Sequence, residues 1–278
     1  MKKKLLTVLV AAALAAATLV SCGKQNDTIT VVSREDGSGT RGAFTELMGI
    51  EKDGTDRTYA KAEISNSTSV VISTVAGNKN AIGYISLGSL NDSVKAVKVD
   101  GVDATVDNVK NGSYKISRPF IIATKDGISD LAADFIKFIL SDDGQAIVSE
   151  KYITVGGSGA YTASGLSGKV TLAGSTSVSP LMDELAAAYK ELNPDVVIEI
   201  QQSGSGAGIQ SAIEGVCDIG MSSRELKDSE KEAGLTPTVM ALDGIAVIVN
   251  KDNSIGTLSS EQIQSIYIGE TTSWADVK

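Results

Sequence analysis

The sequence predicts an α/β protein with a largely parallel sheet. Runs of β-branched and apolar residues alternate with segments that carry apolar residues at helical spacing. Glycine-rich turns separate several predicted strands from the helix that follows, as in parallel strands joined by helices. The chain has 278 residues and 42% of them are hydrophobic, so it can bury the core of one large domain or of two lobes.

In the first half of the chain, the second predicted helix begins with serine and asparagine caps and ends at Gly77. Pro119 interrupts the last extended run. In order, the predicted elements are a strand at 28–32, a glycine-rich turn at 36–40 with a helix to about residue 48, a helix at 65–76, strands at 81–86 and 94–99, an extended run at 114–123 and one helix at 129–148.

The second half repeats the order of strand, glycine-rich turn and helix. Before it lies a segment rich in glycine, serine and threonine at 154–168, which we interpret as a flexible linker. Pro180 falls in the first turn of a predicted helix, where proline is favoured. In order, the elements are a strand at 169–173, a turn at 174–177, a helix at 180–192, a strand at 196–200, a turn at 204–208, a helix at 209–214, a strand at 245–249 and a short helix that starts near 260.

The N-terminus predicts export from the cytoplasm. Three lysines precede an apolar stretch of about 16 residues, which is shorter than the roughly 20 needed to span a membrane. Residues 19–22 fit the cleavage box of a bacterial lipoprotein, so we expect a signal peptide over 1–21 and a lipid on Cys22. The alternative is an ordinary signal peptide or an uncleaved anchor, in which Cys22 has no special role.

Composition argues against several classes of function. The formal charge of −9 leaves no basic face for a phosphate backbone, so we expect no nucleic-acid partner. The sequence has no histidine, the commonest general base and metal ligand. Its two cysteines, Cys22 and Cys217, have no metal-binding spacing. We therefore expect no metal or cofactor, and we expect Cys217 to be a small buried residue. We also expect the chain to be a monomer.

Three loops share one design, with glycine and serine or threonine after a strand and before a helix. They lie at residues 37–40, 174–177 and 204–206. A helix start offers unpaired N–H groups and a positive dipole, to which hydroxyls can add, so it suits a small oxyanion. Any one loop could serve only as a helix cap. Three of them, without the Gly-Lys-Ser/Thr of a nucleotide loop, favour a small anion as ligand.

Arg34 lies at the end of the first predicted strand, four residues before Ser38. A guanidinium can bind two oxygens of an oxyanion at once. Asp36 follows two residues later, and we expect it to orient the guanidinium. The alternative for this pair is a surface ion pair that contributes less than about 1 kcal/mol.

Several segments resemble the PstS family, the phosphate-binding proteins of bacterial phosphate ABC transporters. Residues 34–40 (Arg-Glu-Asp-Gly-Ser-Gly-Thr) resemble the family motif Arg-x-Asp-Gly-Ser-Gly-Thr. Residues 173–180, 204–209 and 218–224 resemble the first, second and third loops of the family. The resemblance extends over nearly all of the chain after the signal peptide, and further similar segments lie at 81–84, 118–120 and 274–277.

The order of these segments differs from the family pattern, in which the loop similar to 174–177 comes first. The chain therefore resembles a circular permutant whose family termini are joined through the segment at 154–168. Its own ends, near residues 26 and 278, should then lie close together. The alternative is a fragment of a tandem array that folds only with a neighbour.

The resemblance implies two α/β lobes, the periplasmic-binding-protein-like fold, with a ligand cleft between lobes joined by two crossover strands. By this analogy the crossovers are 116–122 and 245–250. One lobe comprises 23–116 plus 248–278 and carries Arg34. The other comprises 117–247 and carries the loops at 174–177 and 204–206.

The resemblance also implies a set of phosphate ligands. Ser223 takes the position where the better-known family pattern has an aspartate that accepts the proton of hydrogen phosphate, so rejection of sulfate should be weaker. Asp36 is expected to support the guanidinium. The implied ligands are Arg34, Ser38, Gly39, Thr40, Thr176, Ser177, Ser205 and Ser223.

The implied function is an extracytoplasmic lipoprotein that binds inorganic phosphate and delivers it to the membrane subunits of an ABC transporter. Two alternatives remain open at this point. One is a secreted phosphatase, against which stand the lack of histidine and of a serine with an adjacent base. The other is an oxyanion sensor or adhesion protein that uses the same lobes.

Overall fold

The computed structural model describes residues 27–277, and the predicted signal peptide and Cys22 lie outside them. The strands are β1 (Thr30–Arg34), β2 (Glu51–Lys52), β3 (Thr55–Asp56), β4 (Glu63–Ser65), β5 (Ala81–Ser86), β6 (Val94–Ala96), β7 (Lys98–Val99), β8 (Ser117–Lys125), β9 (Gly168–Gly174), β10 (Val196–Gln202), β11 (Ile219–Ser222), β12 (Leu235–Asn250) and β13 (Thr257–Leu258). The helices are α1 (Gly39–Leu47), α2 (Thr68–Gly77), α3 (Val106–Lys110), α4 (Asp130–Leu140), α5 (Asp142–Val148), α6 (Ser179–Leu192), α7 (Ser205–Glu214), α8 (Asp228–Glu232) and α9 (Ser260–Tyr267).

The main sheet is mixed, although the strand and helix order predicts a largely parallel one. Its strand order is β10-β9-β11-β8-β12-β5-β1-β4, and β6 pairs with β12. The outer pairs, β9 with β10 and β11 and β1 with β4 and β5, are parallel. The pairs that involve β8 and β12 are antiparallel, and these two strands lie between the two parallel halves. The predicted α/β class is confirmed, with parallel pairing confined to each half.

Strand β12 connects the two halves of the sheet. It pairs with β8 from Leu235 to Gly244 and with β5 from Ile245 onward. Nearly all of its second half is buried, as expected for a strand covered on both faces. The change of partner at Gly244 falls three residues before the predicted lobe boundary at 247/248.

Separate hydrophobic cores support the two halves. One core includes Phe135, Phe138 and Tyr189 and comes from residues between 120 and 241. The other comes, apart from Ile153, from residues on both sides of that range, and in it Phe44 stacks on Tyr84 with ring centroids 4.0 Å apart. The chain is therefore a two-lobed α/β fold.

The predicted helix at 129–148 is two helices, α4 and α5, divided at Ser141. The Ser141 hydroxyl donates to the carbonyl of Phe138 and accepts from the N–H of Gly144. A serine that caps the second helix and closes the first competes with the continuous hydrogen-bond ladder. The apolar spacing is that of helix on both sides of the break, so it did not reveal the break.

The segment at 154–168 is not a loose linker, although it has almost no regular secondary structure. Ser158 donates its N–H to the carbonyl of Leu140 at 2.9 Å. The Tyr161 hydroxyl donates to Asp134 at 2.6 Å, and its ring packs edge-on against Phe138. Composition suggested flexibility, but a single aromatic anchor and its hydrogen bonds fix the path of this segment.

The two ends of the described chain meet, as the sequence predicts for a permuted order. Thr28 forms an antiparallel bridge with Ser273, and Trp274 donates its N–H to the carbonyl of Asp27 at 2.8 Å. Within residues 27–277, no helix combines the length and apolar character that a membrane span requires.

Candidate functional site

Four helices begin at one place between the lobes. Helices α1 and α2 follow strands β1 and β4 of one half, whereas α6 and α7 follow β9 and β10 of the other. All four therefore start at the carboxyl ends of parallel strands, which is where α/β proteins place ligands. The loops predicted at 37–40, 174–177 and 204–206 are three of these starts. The start of α2 is a fourth, which the sequence reasoning did not include.

Arg34 is buried at the end of β1, with 2% of its surface exposed. Its Nε and Nη2 atoms donate to the two carboxylate oxygens of Glu35, each at 2.9 Å. Nε also donates to the carbonyl of Ser65, and Nη2 reaches the hydroxyl of Thr176 across the cleft at 3.1 Å. The guanidinium is thus held in one orientation, with contacts on both lobes.

The prediction that Asp36 orients Arg34 is wrong. The Asp36 side chain is 96% exposed and pairs with Arg41 at 2.8 Å. Glu35, the residue next to Arg34, points its carboxylate at the guanidinium and therefore orients it. Asp36 lies in the turn before α1, where its side chain points to solvent. The family motif suggested Asp36 because it fixes the sequence spacing and not the direction of each side chain.

Tyr84 connects the end of β1 to the core. Its hydroxyl shares a hydrogen bond with the Ser33 hydroxyl at 2.8 Å and accepts from the N–H of Arg34 at 3.3 Å. Burial raises the pKa of Tyr84 to about 12, so the phenol stays protonated. The ring stacks on Phe44 of α1, and the core thereby fixes the strand end that carries Arg34.

Hydroxyl groups from the two lobes meet directly. Thr40 in the first turn of α1 shares a hydrogen bond of 2.9 Å with Ser177. The Thr68 hydroxyl, in the first turn of α2, lies 3.3 Å from that of Thr176 and 3.2 Å from that of Ser177. Each of these four residues is at most 5% exposed. The structure therefore brings the predicted ligands Thr40, Thr176 and Ser177 together and adds Thr68.

Gly39 faces a second group of hydroxyls on the opposite lobe. Ser175 donates to the Ser223 hydroxyl at 2.9 Å, and the Ser223 N–H donates to the Ser205 hydroxyl at 3.2 Å. A Cβ atom on Gly39 would lie 2.5 Å from the Ser205 hydroxyl and 2.7 Å from that of Ser223. Only glycine permits this approach of the helix start.

Ser38 is the N-cap of α1, and its hydroxyl accepts a hydrogen bond from the N–H of Arg41 at 3.4 Å. Its side chain is therefore used as a cap, as the alternative interpretation of the loops anticipated. The loops of the two lobes also touch at this point, because Gly206 donates its N–H to the carbonyl of Gly37 at 2.9 Å. All eight predicted ligand residues thus surround one region of the cleft.

Thr68, Ser175 and Glu35 belong to this region, although the sequence reasoning did not select them. The signal for Thr68 was present, because Ser-Asn-Ser-Thr-Ser at 65–69 is a helix start of the same kind as the three chosen loops. Nothing in the sequence alone places that start beside 174–177. The position of β4 next to β1 does so.

The chemistry available here is hydrogen-bond donation to oxygen. Helix-start N–H groups, hydroxyls that can donate or accept, and one oriented guanidinium lie together in a buried place. Within residues 27–277, no group of acidic, cysteine or histidine side chains is arranged to hold a metal ion. The arrangement suits a small tetrahedral oxyanion.

Comparison with known proteins agrees with this geometry. The sequence profile of the PBP superfamily domain matches residues 10–143 and 159–278. The chain is 53% identical over 264 residues to phosphate-binding protein PstS 2 of Streptococcus agalactiae serotype V, covering 92% of this chain and 90% of that protein. It is 48% identical to phosphate-binding protein PstS 2 of Streptococcus pneumoniae serotype 4, covering 100% of both.

A solved structure is also similar. It is the crystal structure of a phosphate-binding protein of a phosphate ABC transporter from Streptococcus pneumoniae, with a TM-score of 0.71 and 50% identity. The similarity covers 90% of this chain and 100% of that one. Because the sequence alignments with the streptococcal proteins run along nearly the whole chain, these relatives share its order of segments. The order read as a circular permutation is therefore not peculiar to this chain.

Proposed function

Because this chain belongs to the PBP superfamily and, within it, to the PstS family of phosphate-binding proteins, we propose that it captures inorganic phosphate between its two lobes and passes it to a phosphate ABC transporter. Membership of this family makes the chain a binding protein and not an enzyme. The proposal rests on one observation above all, the meeting of Arg34 with four helix starts in a buried place between the lobes.

The ligand roles follow from this arrangement. Arg34 provides a charge-assisted hydrogen bond from a guanidinium that Glu35 holds through its Nε and Nη2 atoms. The N–H groups of Gly39, Thr40 and Ser177 lie in loops or first turns, where the helix leaves such groups unpaired or only locally paired. The hydroxyls can turn to donate or to accept. They come from Ser38, Thr40, Thr176, Ser177, Ser205 and Ser223.

The lobes would close over the anion. We assign residues 23–116 plus 248–278 to one lobe and 117–247 to the other, with the connection at the β8 and β12 crossing. The direct contacts between lobes, such as Thr40 with Ser177, belong to the closed arrangement. A phosphate that binds both lobes favours this arrangement, and the membrane subunits can recognise it.

We further propose that the protein is a monomer, tethered outside the cell membrane by a lipid on Cys22. Residues 19–22 support this assignment, and only a few residues separate Cys22 from Asp27, which is fixed to Trp274. Substituting Cys22→Ser should release the protein from cells into the medium. Retention in the membrane fraction at the wild-type level would contradict the lipid anchor.

The test of the proposed function is isothermal titration of the chain from residue 23 onward with phosphate and, separately, with sulfate. We expect one phosphate per chain and weaker binding of sulfate. Failure to bind phosphate would contradict the proposal. Equal affinities would leave oxyanion binding intact and contradict phosphate selectivity.

A further inference from the structure

A second buried guanidinium lies behind the site. Arg118, on β8, is 4% exposed and opposes Asp243 of β12 in the antiparallel register. Its Nη2 atom donates to the Asp243 carboxylate at 3.2 Å. Its Nη1 atom donates to the main-chain carbonyl of Ser223, also at 3.2 Å. One side chain therefore links the crossing strands to a predicted phosphate ligand.

Asp243 extends this link to the other lobe. Its second oxygen accepts a hydrogen bond from the Ser86 hydroxyl at 3.0 Å. Ser86 ends β5, the strand that β12 joins after leaving β8. Asp243 thus lies where β12 passes between the halves, with partners on both sides of the crossing.

The pair is costly for the fold. Both side chains are nearly inaccessible to solvent, and the Nε atom of Arg118 is buried with no hydrogen-bond partner in the described part of the chain. Removing two charges from water often costs as much as their attraction returns, and apolar side chains of similar size can replace such pairs without loss of stability. Fold stability alone therefore does not account for this pair.

Ser223 explains what the pair can do. The N–H and hydroxyl of Ser223 take part in the group that faces Gly39, and its carbonyl is the atom held by Arg118. Anchoring the carbonyl fixes the direction of this peptide against the crossing strands. Without the bond from Arg118, the Ser223 loop could move away from Gly39. The two lie so close together that no side chain would fit on Gly39.

We propose that Arg118, together with Asp243, is a positioning residue of the phosphate site. It holds the Ser223 loop against the strands that cross between the lobes and acts without touching the anion. This inference rests on the proposed function, because it concerns the same site.

The test compares phosphate binding of three variants with that of the wild type. Arg118→Met combined with Asp243→Leu removes the pair without leaving a lone buried charge. Arg118→Lys keeps the charge but cannot reach both acceptors with a planar fork. The control is Lys151→Gln with Glu184→Gln, which removes an exposed ion pair of the same lobe.

We expect the apolar double variant to unfold at a temperature close to that of the wild type and to bind phosphate at least tenfold more weakly, chiefly through faster dissociation. Arg118→Lys should also bind phosphate about tenfold more weakly. Because lysine keeps the positive charge, this loss would show that Arg118 acts by positioning and not by charge alone. The control should bind as the wild type does. If the wild type binds phosphate and either Arg118 variant binds within twofold of it, this inference is overturned. If the wild type binds no phosphate, the proposed function itself fails.

Discussion

Arg34 is held in one orientation by groups of its own lobe. Two bonds to Glu35 and one to the carbonyl of Ser65 hold the guanidinium from one side. A side chain fixed in its binding geometry loses little conformational entropy when the ligand binds, so more of the interaction appears as affinity. At the scale of single residues, Glu35 therefore contributes to affinity through the arginine that it holds.

Replacing Glu35 with alanine should weaken phosphate binding by about tenfold, which corresponds to about 1.4 kcal/mol, because two charge-assisted bonds to Arg34 are lost. Asp36→Ala is the matched control. It also removes one negative charge, but from the neighbouring residue, whose side chain is exposed. Titration calorimetry measures both. A larger loss with Asp36→Ala would restore the original assignment of that residue.

Thr68→Val should weaken phosphate binding by roughly tenfold, because the hydroxyl that meets Thr176 and Ser177 across the cleft is lost while the shape is kept. Thr68→Ser should bind nearly as well as the wild type. The control is Ser69→Ala, on the exposed side of the same helix turn. Unchanged affinity in Thr68→Val would remove this residue from the site.

Asp243 should make stability depend on pH between about 4 and 6. Burial raises its pKa to about 6, against the opposing effects of Arg118 and Ser86, and the buried phenols Tyr114 and Tyr152 are further neighbours. The folded state then binds the proton more tightly than the unfolded state. The free energy of unfolding therefore rises as pH falls and decreases as pH rises through about 6.

The measurement is urea unfolding of the wild type and of Asp243→Asn at pH 5 and pH 7. The wild type should gain about 1 kcal/mol more than the variant on going from pH 7 to pH 5. Other acids, including Asp56 and Glu230, are common to both proteins and cancel in the difference. A difference of the opposite sign would contradict the raised pKa.

At the scale of elements, the start of α1 is the part of the site that tolerates an added side chain least. The helix enters from one lobe, and Gly39 brings its first peptide against Ser205 and Ser223 of the other. Closure of the lobes therefore depends on the absence of a side chain at one position. The same helix places Thr40 against Ser177 one residue later.

Gly39→Ala should reduce phosphate affinity by about a hundredfold, because its Cβ would overlap two hydroxyls in the closed arrangement. Gly42→Ala, one turn along the same helix, is the control, since the nearest atom to its Cβ would be the Arg224 side chain at an ordinary 3.7 Å. Alanine should also favour that helix slightly. Calorimetric titration and a thermal melt without phosphate separate binding from folding, and equal affinities for the two variants would contradict this account of α1.

Most elements could be predicted from the sequence because their signals are local. Serine caps mark the starts of α1, α2 and α9, and apolar periodicity marks α4. The break at Ser141, the fixed path of 154–168 and the role of Glu35 could not be predicted. Each depends on a side chain that meets a partner whose position only the folded chain determines, as Tyr161 does with Asp134.

At the scale of the whole molecule, the two lobes share one mixed sheet and are joined where β12 changes partner from β8 to β5. The buried pair of Arg118 and Asp243 lies at this change of partner, and the cluster of hydroxyls lies between the lobes. The order of segments places the described chain ends together on one lobe without altering this arrangement.

The measurement that tests the central claim most directly is a crystal structure of this protein grown with phosphate. We expect tetrahedral density between the lobes, bonded to the Arg34 guanidinium, to the N–H groups of Gly39 and Thr40, and to the hydroxyls of Thr176 and Ser205. Phosphate bound at another place, with Arg34 and these helix starts making no contact to it, would contradict the account.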